Sequence, residues 1–334
     1  MTFLQTNLVS DGSVPAANVD PNLVNPWGVS FSSTSPFWVS DNGTGVATIY
    51  NGTGANVIVA GHMAITIAPP DGQPGPSAPT GQVFSNTTGF DVSQGGVTAP
   101  SVFIFDTEDG TISGWNPTVN SGSSVLAVDN SDGGDGAVYK GLTMVQTGGG
   151  PLLYAANFRA GTVDVFDQTF TEVNRFTDPF VPDGYAPFNV HNLDGRLFVT
   201  FALQDDAKHD DVAGAHHGFV DEFSTDGKLL DRISSGGPLN SPWGMAIAPA
   251  SFGRLAGDLL VGNFGDGTIN AFDLSTDTFA GKLRGADGKP ISIQDLWTIT
   301  PGNGGSAGDP SKLYFTAGLQ DEQHGLFGSL SPTT

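Results

Sequence analysis

A unit that recurs six times is the feature of this sequence that most restricts its fold. Two copies are nearly identical in pattern, Asn-Pro-Trp-Gly-Val at 25–29 and Ser-Pro-Trp-Gly-Met at 241–245, and each opens a short apolar strand. The equivalent positions along the chain are 27, 80, 140, 188, 243 and 297, with spacings of 53, 60, 48, 55 and 54 residues. Repeats of roughly 40–50 residues with strand character are typical of β-propeller blades. We therefore predict an all-β chain in which residues 1–334 form a single six-bladed β-propeller domain.

A hairpin follows the opening strand in most copies. Its pattern is a strand, an Asn or Asp, a turn with glycine and a second strand, and it is clearest in three ranges, 103–115, 153–167 and 259–273. Glycine tolerates the positive φ that such turns need. The sixth copy has room for only one more strand after Gly325, so we expect the N-terminal strand Phe3–Val9 to complete that blade and close the ring.

Composition excludes several classes of partner and chemistry. The chain has 34 acidic residues against 12 Lys and Arg, a formal net charge of −22, and such a surface repels nucleic acid. It contains no cysteine, which excludes disulfides and thiol nucleophiles. No apolar run is long enough to cross a membrane, and no signal peptide is visible in this chain. We therefore expect neither a nucleic-acid partner nor an integral membrane segment.

The repeats predict a site at one mouth of the central channel, because the first strand of each blade lines the channel. Around this mouth we expect a ring of side chains that stack against a ligand: Trp27, Lys140, Phe188, Trp243 and Trp297. Packing between neighbouring blades is the alternative role of the aromatic residues. Nearby we expect metal ligands with amide, carboxylate or imidazole groups: Asn42, Asp106, Asn157, Asn263 and His191. The alternative for the Asn and Asp residues is hydrogen bonding to their own turns.

Two hairpins carry insertions, at 203–218 in the fourth copy and 319–325 in the sixth, and both open with Leu-Gln-Asp and a further acid. These loops should rise over the same mouth and bring candidate catalytic groups to it: Asp205, His216, His217, Asp321 and His324. A solvated acidic loop is the alternative for the fourth-copy insertion. The expected cofactor is a divalent metal. Oxygen ligands favour calcium, and convergence of the histidines would favour zinc or copper.

The opening Asn-Pro-Trp-Gly, the Asn-Phe-x-x-Gly-Thr hairpins, the Tyr-Lys-Gly-Leu strand at 139–142 and the Leu-Gln-Asp insertions resemble a family of uncharacterised secreted bacterial propellers. The resemblance covers nearly the whole chain. It implies six blades and a secreted, periplasmic or cell-surface location, and it implies no particular reaction. The blades are more distantly similar to NHL-type propellers and to six-bladed calcium-dependent lactonases, in which a central Ca²⁺ polarises a carbonyl group.

Two functions follow as hypotheses. The first is an extracytoplasmic, metal-assisted hydrolase, of lactonase or esterase type, acting on a small molecule or a polymer end. The second is a non-catalytic module that binds a glycan, a peptide or matrix, and the expected aromatic ring at the channel mouth motivates it. In both hypotheses the ligand is a small molecule, a polysaccharide or another polymer, and the protein is expected to be a monomer.

Overall fold

The computed structural model describes residues 1–333, and strands dominate it. In chain order the strands are β1 (Phe3–Ser10), β2 (Asn18–Val19), β3 (Pro26–Ser30), β4 (Phe37–Asp41), β5 (Val46–Tyr50), β6 (Ala64–Thr66), β7 (Pro79–Phe84), β8 (Asp91–Gln94), β9 (Val97–Pro100), β10 (Phe103–Thr107), β11 (Thr111–Trp115), β12 (Val125–Asp129), β13 (Tyr139–Thr147), β14 (Gly150–Asn157), β15 (Thr162–Phe166), β16 (Glu172–Phe176), β17 (Tyr185–Leu193), β18 (Arg196–Leu203), β19 (Phe219–Phe223), β20 (Leu229–Ser235), β21 (Pro242–Ile247), β22 (Leu259–Asn263), β23 (Ile269–Asp273), β24 (Thr278–Lys282), β25 (Leu296–Pro301), β26 (Leu313–Ala317) and β27 (Leu326–Pro332).

Within residues 1–333, helical structure is limited to short turns. Two 3₁₀ turns lie at Asp132–Gly134 and Ala250–Leu255, and one helical turn, α1, at Leu319–Glu322. Among the residues that the structure describes, no helix is both long and apolar enough to cross a membrane.

The strands form six blades around a central axis, which confirms the predicted fold class. Blades 1, 3, 4 and 5 are β3–β6, β13–β16, β17–β20 and β21–β24; blade 2 is β7 and β10–β12, with β8 and β9 forming a separate hairpin between its first two strands. Blade 6 is β25–β27 completed by β1, and β2 adds a short parallel pairing to β1. The first strand of each blade contacts that of the next, and β25 contacts β3, so the ring is closed.

The N-terminal strand closes the ring as predicted. β1 pairs antiparallel with β27, from Phe3 opposite Pro332 to Ser10 opposite Leu326, with one irregularity between Asn7 and Val9. The backbone N–H of Thr333 also donates to the carbonyl of Thr2 at 2.8 Å. The two ends of the chain therefore form one strand pair, and blade 6 has the same four main strands as the others.

The core lies mainly between the blades. Within residues 1–333, each pair of neighbouring blades encloses one cluster of buried apolar residues, and a seventh cluster lies on the axis. Close approach of the blades near the axis requires glycine at the start of the first strand. A Cβ on Gly28 would lie 2.5 Å from the Thr80 carbonyl oxygen of the next blade, and one on Gly244 would lie 2.3 Å from the Trp297 carbonyl oxygen. This close contact explains the glycine in the repeat.

Candidate functional site

The pairing between the first and second strands is interrupted in every blade at the position that the repeat identified. The irregularities lie on the first strands at 26–29, 79–82, 139–142, 187–189, 242–244 and 296–299. A bulge leaves a residue outside the ladder and redirects its side chain. At the six repeat positions the residues are therefore outside the regular strand pairing, and their side chains can point toward the axis.

The aromatic residues at these positions form the axial cluster. Trp27, Phe188, Trp243 and Trp297 are between 0% and 4% exposed. The Trp27 and Trp297 rings are stacked with their centroids 3.4 Å apart, and the Trp243 ring packs edge-on against Trp27 at 5.9 Å. The rings therefore cover one another, as the packing alternative requires. Stacking of a ligand on them stays a prediction, and it would require this cluster to open.

Lys140 occupies the repeat position of blade 3 and carries the positive charge of the site. Its Nζ lies 5.1 Å from the centre of the Trp27 ring and 5.8 Å from that of Phe158, and its side chain is 2% exposed. Glu108 forms a short ion pair with Nζ, and Asp210 Oδ1 lies 3.3 Å from it. Burial by itself would lower the pKa of Lys140, but these two carboxylates raise it above its usual value, so the side chain remains charged.

Glu322 approaches from the blade 6 insertion and is held by the amide group of Asn25. Asn25 Nδ2 donates to Glu322 Oε2 at 2.6 Å, while Asn25 Oδ1 accepts from Trp297 Nε1 at 3.0 Å. Burial and, to a smaller extent, the charge of Glu108 raise the pKa of Glu322 to about 7. Asn42 Nδ2 donates to Glu108 Oε2 at 2.8 Å. Amide and carboxyl groups from blades 1, 2 and 6 therefore join Lys140 in one network.

The turn that carries Glu322 has an unusual backbone. Gln320, Asp321 and Glu322 have φ values of 58°, 55° and 65°, so three consecutive residues other than glycine adopt the left-handed conformation. This conformation costs roughly 1–2 kcal/mol for each such residue. The backbone N–H of Glu322 donates to the Gly318 carbonyl at 2.9 Å, which closes the turn. Backbone strain of this kind persists where the surrounding structure fixes it, often at functional sites.

The blade 4 insertion adds an imidazole to the network. Ligand atoms of Glu108, His209 and Asp210 all lie within 4.8 Å of one another. His209 Nδ1 is 2.8 Å from Asp210 Oδ1, and this hydrogen bond raises the pKa of His209 and lowers that of Asp210. We call these three residues the triad. One imidazole and two carboxylates are a ligand set suited to Zn²⁺ or Mn²⁺.

The predicted catalytic residues make their hydrogen bonds outside the triad, apart from Asp205. His216 Nδ1 contacts the Gly237 carbonyl at 2.6 Å, His217 Nδ1 contacts the Val212 carbonyl at 2.9 Å, and His324 Nδ1 pairs with Asp11 Oδ2 at 2.6 Å. Asp205 Oδ1 accepts from the backbone N–H groups of His209 and Asp210. Asp321 is exposed. Asp205 therefore shapes the loop that carries His209 and Asp210, and His216, His217 and His324 each bond a different partner.

The predicted metal ligands are also distributed over their own blades. Asp106 accepts from Thr80 Oγ1 at 2.9 Å, and burial raises its pKa to about 7. Asn157 Nδ2 donates to Asp164 Oδ2 at 2.8 Å, and Asn263 Nδ2 donates to the Pro238 carbonyl at 2.9 Å. Asn42 alone among them joins the network around Lys140.

His191 lies farther along β17, beyond the bulge at 187–189. Burial lowers the pKa of His191 to about 4, so its imidazole is neutral at pH 7. Its Nδ1 is buried and has no hydrogen-bond partner within residues 1–333.

Sequence reasoning missed five residues of the network, which are Asn25, Glu108, His209, Asp210 and Glu322. A signal was available for two of them. Glu322 is the acid that follows Leu-Gln-Asp in the second insertion, and Glu108 belongs to the turn at the tip of the blade 2 hairpin. The loops between second and third strands share one face of the ring with the start of the first strands, so every such acid is a candidate for the channel mouth.

Six closed blades with buried charged residues at one axial mouth define the chain as a six-bladed β-propeller with a polar site on its axis. No protein-family model matches it. Two uncharacterised proteins of Acanthamoeba polyphaga mimivirus are similar along almost the whole chain. One is 33% identical over 339 residues, spanning 98% of this chain and 86% of its own length, and the other is 31% identical over 331 residues, spanning 97% and 78%. The chain belongs to the family of these mimivirus proteins.

Solved structures with the same fold include enzymes. A streptogramin B lyase superposes with a TM-score of 0.54 at 12% identity, covering 98% of this chain and 97% of the lyase. Virginiamycin B lyase from Staphylococcus aureus superposes with a TM-score of 0.53 at 12% identity, covering 99% of both chains. At this level of identity the likeness shows the fold alone.

Proposed function

We propose that the protein is a metal-assisted hydrolase that acts at the channel mouth on a small molecule or a polymer end. The observation that supports the proposal most directly is the triad, in which ligand atoms of Glu108, His209 and Asp210 lie within 4.8 Å of one another. The buried charge of Lys140 lies beside it, and Glu322 faces the same space. Ionisable groups with shifted pKa values beside a channel are typical of catalytic sites.

The chemistry of the side chains fits hydrolysis. A bound divalent cation supplies a Lewis acid for a carbonyl oxygen and lowers the pKa of a water ligand. The Glu322 carboxyl group, with a pKa of about 7, can accept or donate a proton near neutral pH. Lys140 pairs with two of the three metal-binding residues. Its flexible stem must therefore release at least one carboxylate when a metal binds.

Metal titration of the chelator-treated protein tests the proposal. We expect one Zn²⁺ or Mn²⁺ per chain by isothermal titration calorimetry. Glu108→Gln and His209→Ala should each weaken binding at least tenfold, because each removes one of three ligands. Matched controls are Glu172→Gln and His62→Ala, since Glu172 pairs with the exposed Arg175 and His62 contacts Ser121 on the outside of the ring.

An absence of metal binding to the wild-type protein, or equal losses in the control variants, would contradict the triad as a metal site. A panel of aryl esters and lactones then tests hydrolysis by the metal-loaded protein. Metal binding without turnover of any of these substrates would instead favour the non-catalytic module for glycan, peptide or matrix.

We propose that the protein works outside the cytoplasm. The resemblance of its repeat motifs to secreted propellers supports this location, as does a net charge of −22, which favours solubility. Immunoblotting of cell fractions and medium from the native source tests it, and recovery of the protein only with the cytoplasm would contradict the proposal.

A further inference from the structure

The end of the channel opposite to Lys140 contains a cavity that the proposed hydrolysis does not use. It has a volume of about 270 Å³ and lies between the first strands of blades 1 to 4 and blade 6. A narrower space of about 20 Å³ continues from it along the axis toward the axial cluster. Gln82, Leu142 and His191 line both spaces, so the two form one pocket, which we call the distal pocket.

Small side chains at one level of the ring leave room for this pocket. Three residues beyond the repeat position, the first and second strands of every blade are again in regular antiparallel pairing, so the six residues at this level are equivalent. They are Ser30, Val83, Thr143, His191, Ala246 and Thr300. Only His191 is large, and the other five do not fill the space. At about 3.3 Å for each residue, the level lies roughly 10 Å along the strands from the repeat positions.

His191 is the residue of this level whose polar side chain lacks a partner. Its Nδ1 is screened from solvent and has no hydrogen-bond partner within residues 1–333. By contrast, Ser30 Oγ donates to Gln82 Oε1 at 3.0 Å, and Thr143 Oγ1 accepts from the backbone N–H of Asn192 at 3.1 Å. The orphaned nitrogen is therefore particular to blade 4 and does not result from the repeat.

The protonation of His191 indicates what its imidazole offers to the distal pocket. Burial lowers the pKa of His191 to about 4, so at pH 7 the ring is neutral and carries a single proton. An orphaned N–H group is rarer in protein interiors than an orphaned acceptor, which places this proton on Nε2. Since Nδ1 is buried and the ring lines the pocket, Nε2 is the nitrogen that a ligand can reach. His191 therefore presents one hydrogen-bond donor.

The rest of the lining indicates the class of ligand. None of the residues within 1–333 that line the distal pocket is charged, although the chain has a net charge of −22. Transfer of a charged group into such a pocket is costly. Gln82 Nε2 and Asn192 Nδ2 already donate to backbone carbonyls, at 2.9 and 3.0 Å. Phe31, Phe84 and Met144 add apolar surface. The pocket thus combines apolar walls with a single free donor.

We infer that the distal pocket binds an uncharged aromatic molecule that carries one oxygen acceptor, and that His191 Nε2 donates a hydrogen bond to this oxygen. An aromatic ring packs favourably against Phe31 and Phe84. Apolar walls with a few polar groups are typical of sites for small molecules. The pocket contains none of the triad residues and lies on the other side of the axial cluster, so the inference does not depend on the proposed hydrolytic function.

Acetophenone tests the inference, with ethylbenzene and benzoate as matched probes. All three contain a benzene ring, but ethylbenzene lacks the oxygen acceptor and benzoate is charged. Proton–nitrogen NMR of the histidine rings follows binding to the wild-type protein and also reports the tautomer. We expect saturable binding of acetophenone that shifts the His191 Nε2 signal. Ethylbenzene should bind roughly tenfold more weakly, by the value of one hydrogen bond, and benzoate should not bind.

Two variants separate the hydrogen bond from the space. His191→Phe keeps an aromatic ring but removes the donor, so acetophenone should lose its advantage over ethylbenzene. Val83→Phe fills the pocket at the same level and should prevent binding of both probes. The matched controls are His62→Phe and Val173→Phe, at positions away from the channel, and they should bind as the wild type does. Ligand-detected NMR measures binding, and thermal unfolding verifies that each variant is folded.

The inference would be overturned if the wild-type protein bound the three probes equally or bound none of them. It would also be overturned if His191→Phe kept the preference for acetophenone over ethylbenzene. A crystal soaked with acetophenone that showed only an ordered water molecule beside His191 would have the same consequence.

Discussion

At the residue scale, Lys140 shows why a buried charge at this mouth is tolerated. The ammonium group lies over the Trp27 ring and contacts two carboxylates, so the free energy lost on desolvation is offset by ion pairing and by the ring. The burial of Asp106 is not offset by partners in the same way. Asp106, directly on the blade 2 hairpin, is fully buried, and one of its carboxylate oxygens has no partner among residues 1–333.

Asp106 should make the stability of the protein depend on pH. Burial raises its pKa to about 7, so the folded chain keeps this proton at pH values where an unfolded Asp has lost it. The folded state then binds more protons than the unfolded state between about pH 4 and pH 7, and the free energy of unfolding falls as the pH rises through this interval. Asp106→Asn should remove this contribution, on the order of 3 kcal/mol between pH 4 and pH 8.

Urea unfolding of wild type and variant at both pH values measures the difference. The isosteric amide keeps an acceptor for the Thr80 hydroxyl, so the comparison isolates ionisation. Asp206→Asn, at an exposed position, is the control and should leave the pH dependence unchanged. An unaltered pH dependence in Asp106→Asn would show that Asp106 is ionised in the folded protein.

At the element scale, the position of the blade 6 insertion could be predicted from the sequence, but the backbone conformation of its turn could not. The Leu-Gln-Asp opening marks the insertion, and the repeat places it over the channel mouth. The left-handed backbone of its turn was not predictable, because Asp321 is the one residue of the three whose type is enriched in that conformation, and Gln320 and Glu322 beside it are of types that rarely adopt it. The direction of the Glu322 side chain follows from that backbone, so this residue was missed.

The strain in this turn can be measured. Gln320 is exposed and has a φ of 58°, so Gln320→Gly should stabilise the protein by about 1 kcal/mol through relief of the left-handed penalty. Gln94→Gly, at an exposed position in β8, should instead destabilise it by about 0.5–1 kcal/mol. Chemical denaturation of both variants provides the comparison. Equal destabilisation by the two glycines would show that the turn is not strained.

At the scale of the whole molecule, the repeat spacing was sufficient to predict the blade number and the role of Phe3–Val9 in closure. The positions of the mouth residues were harder to predict, because they depend on loop conformations rather than on strand periodicity. Four of the five expected metal ligands, Asn42, Asp106, Asn157 and Asn263, illustrate this limit. These residues occupy similar positions in the repeat, but each belongs to a different blade. Because the blades are arranged around the axis, the four side chains lie apart from one another.

The pairing of β1 with β27 predicts that the ring cannot fold without the N-terminal strand. Deletion of residues 1–19 removes Phe3, Leu8 and Val9 from the core and leaves the edge of β27 unpaired, so we expect loss of cooperative unfolding and aggregation. A circular permutant that joins residue 334 to Met1 and opens the chain between Gly95 and Gly96 should fold normally. Phe3 already lies opposite Pro332, and a Cβ at either glycine would meet no neighbouring atom within 4 Å.

Circular dichroism and thermal unfolding of the 1–19 deletion and of the circular permutant show whether each protein folds. We expect the melting temperature of the permutant to lie within a few degrees of that of the wild type. A permutant that fails to fold while the 1–19 deletion unfolds cooperatively would contradict closure by this strand.

The bulges at the six repeat positions have a consequence for how this scaffold could change over evolutionary time. Each one places the side chain at the repeat position outside the hydrogen-bonded ladder of its blade, so the identity of that side chain is decoupled from strand pairing. Thr80, Lys140 and the four aromatic residues occupy equivalent places with very different chemistry. A lineage built on this ring could therefore acquire new specificity one substitution at a time, while the architecture that supports it stays the same.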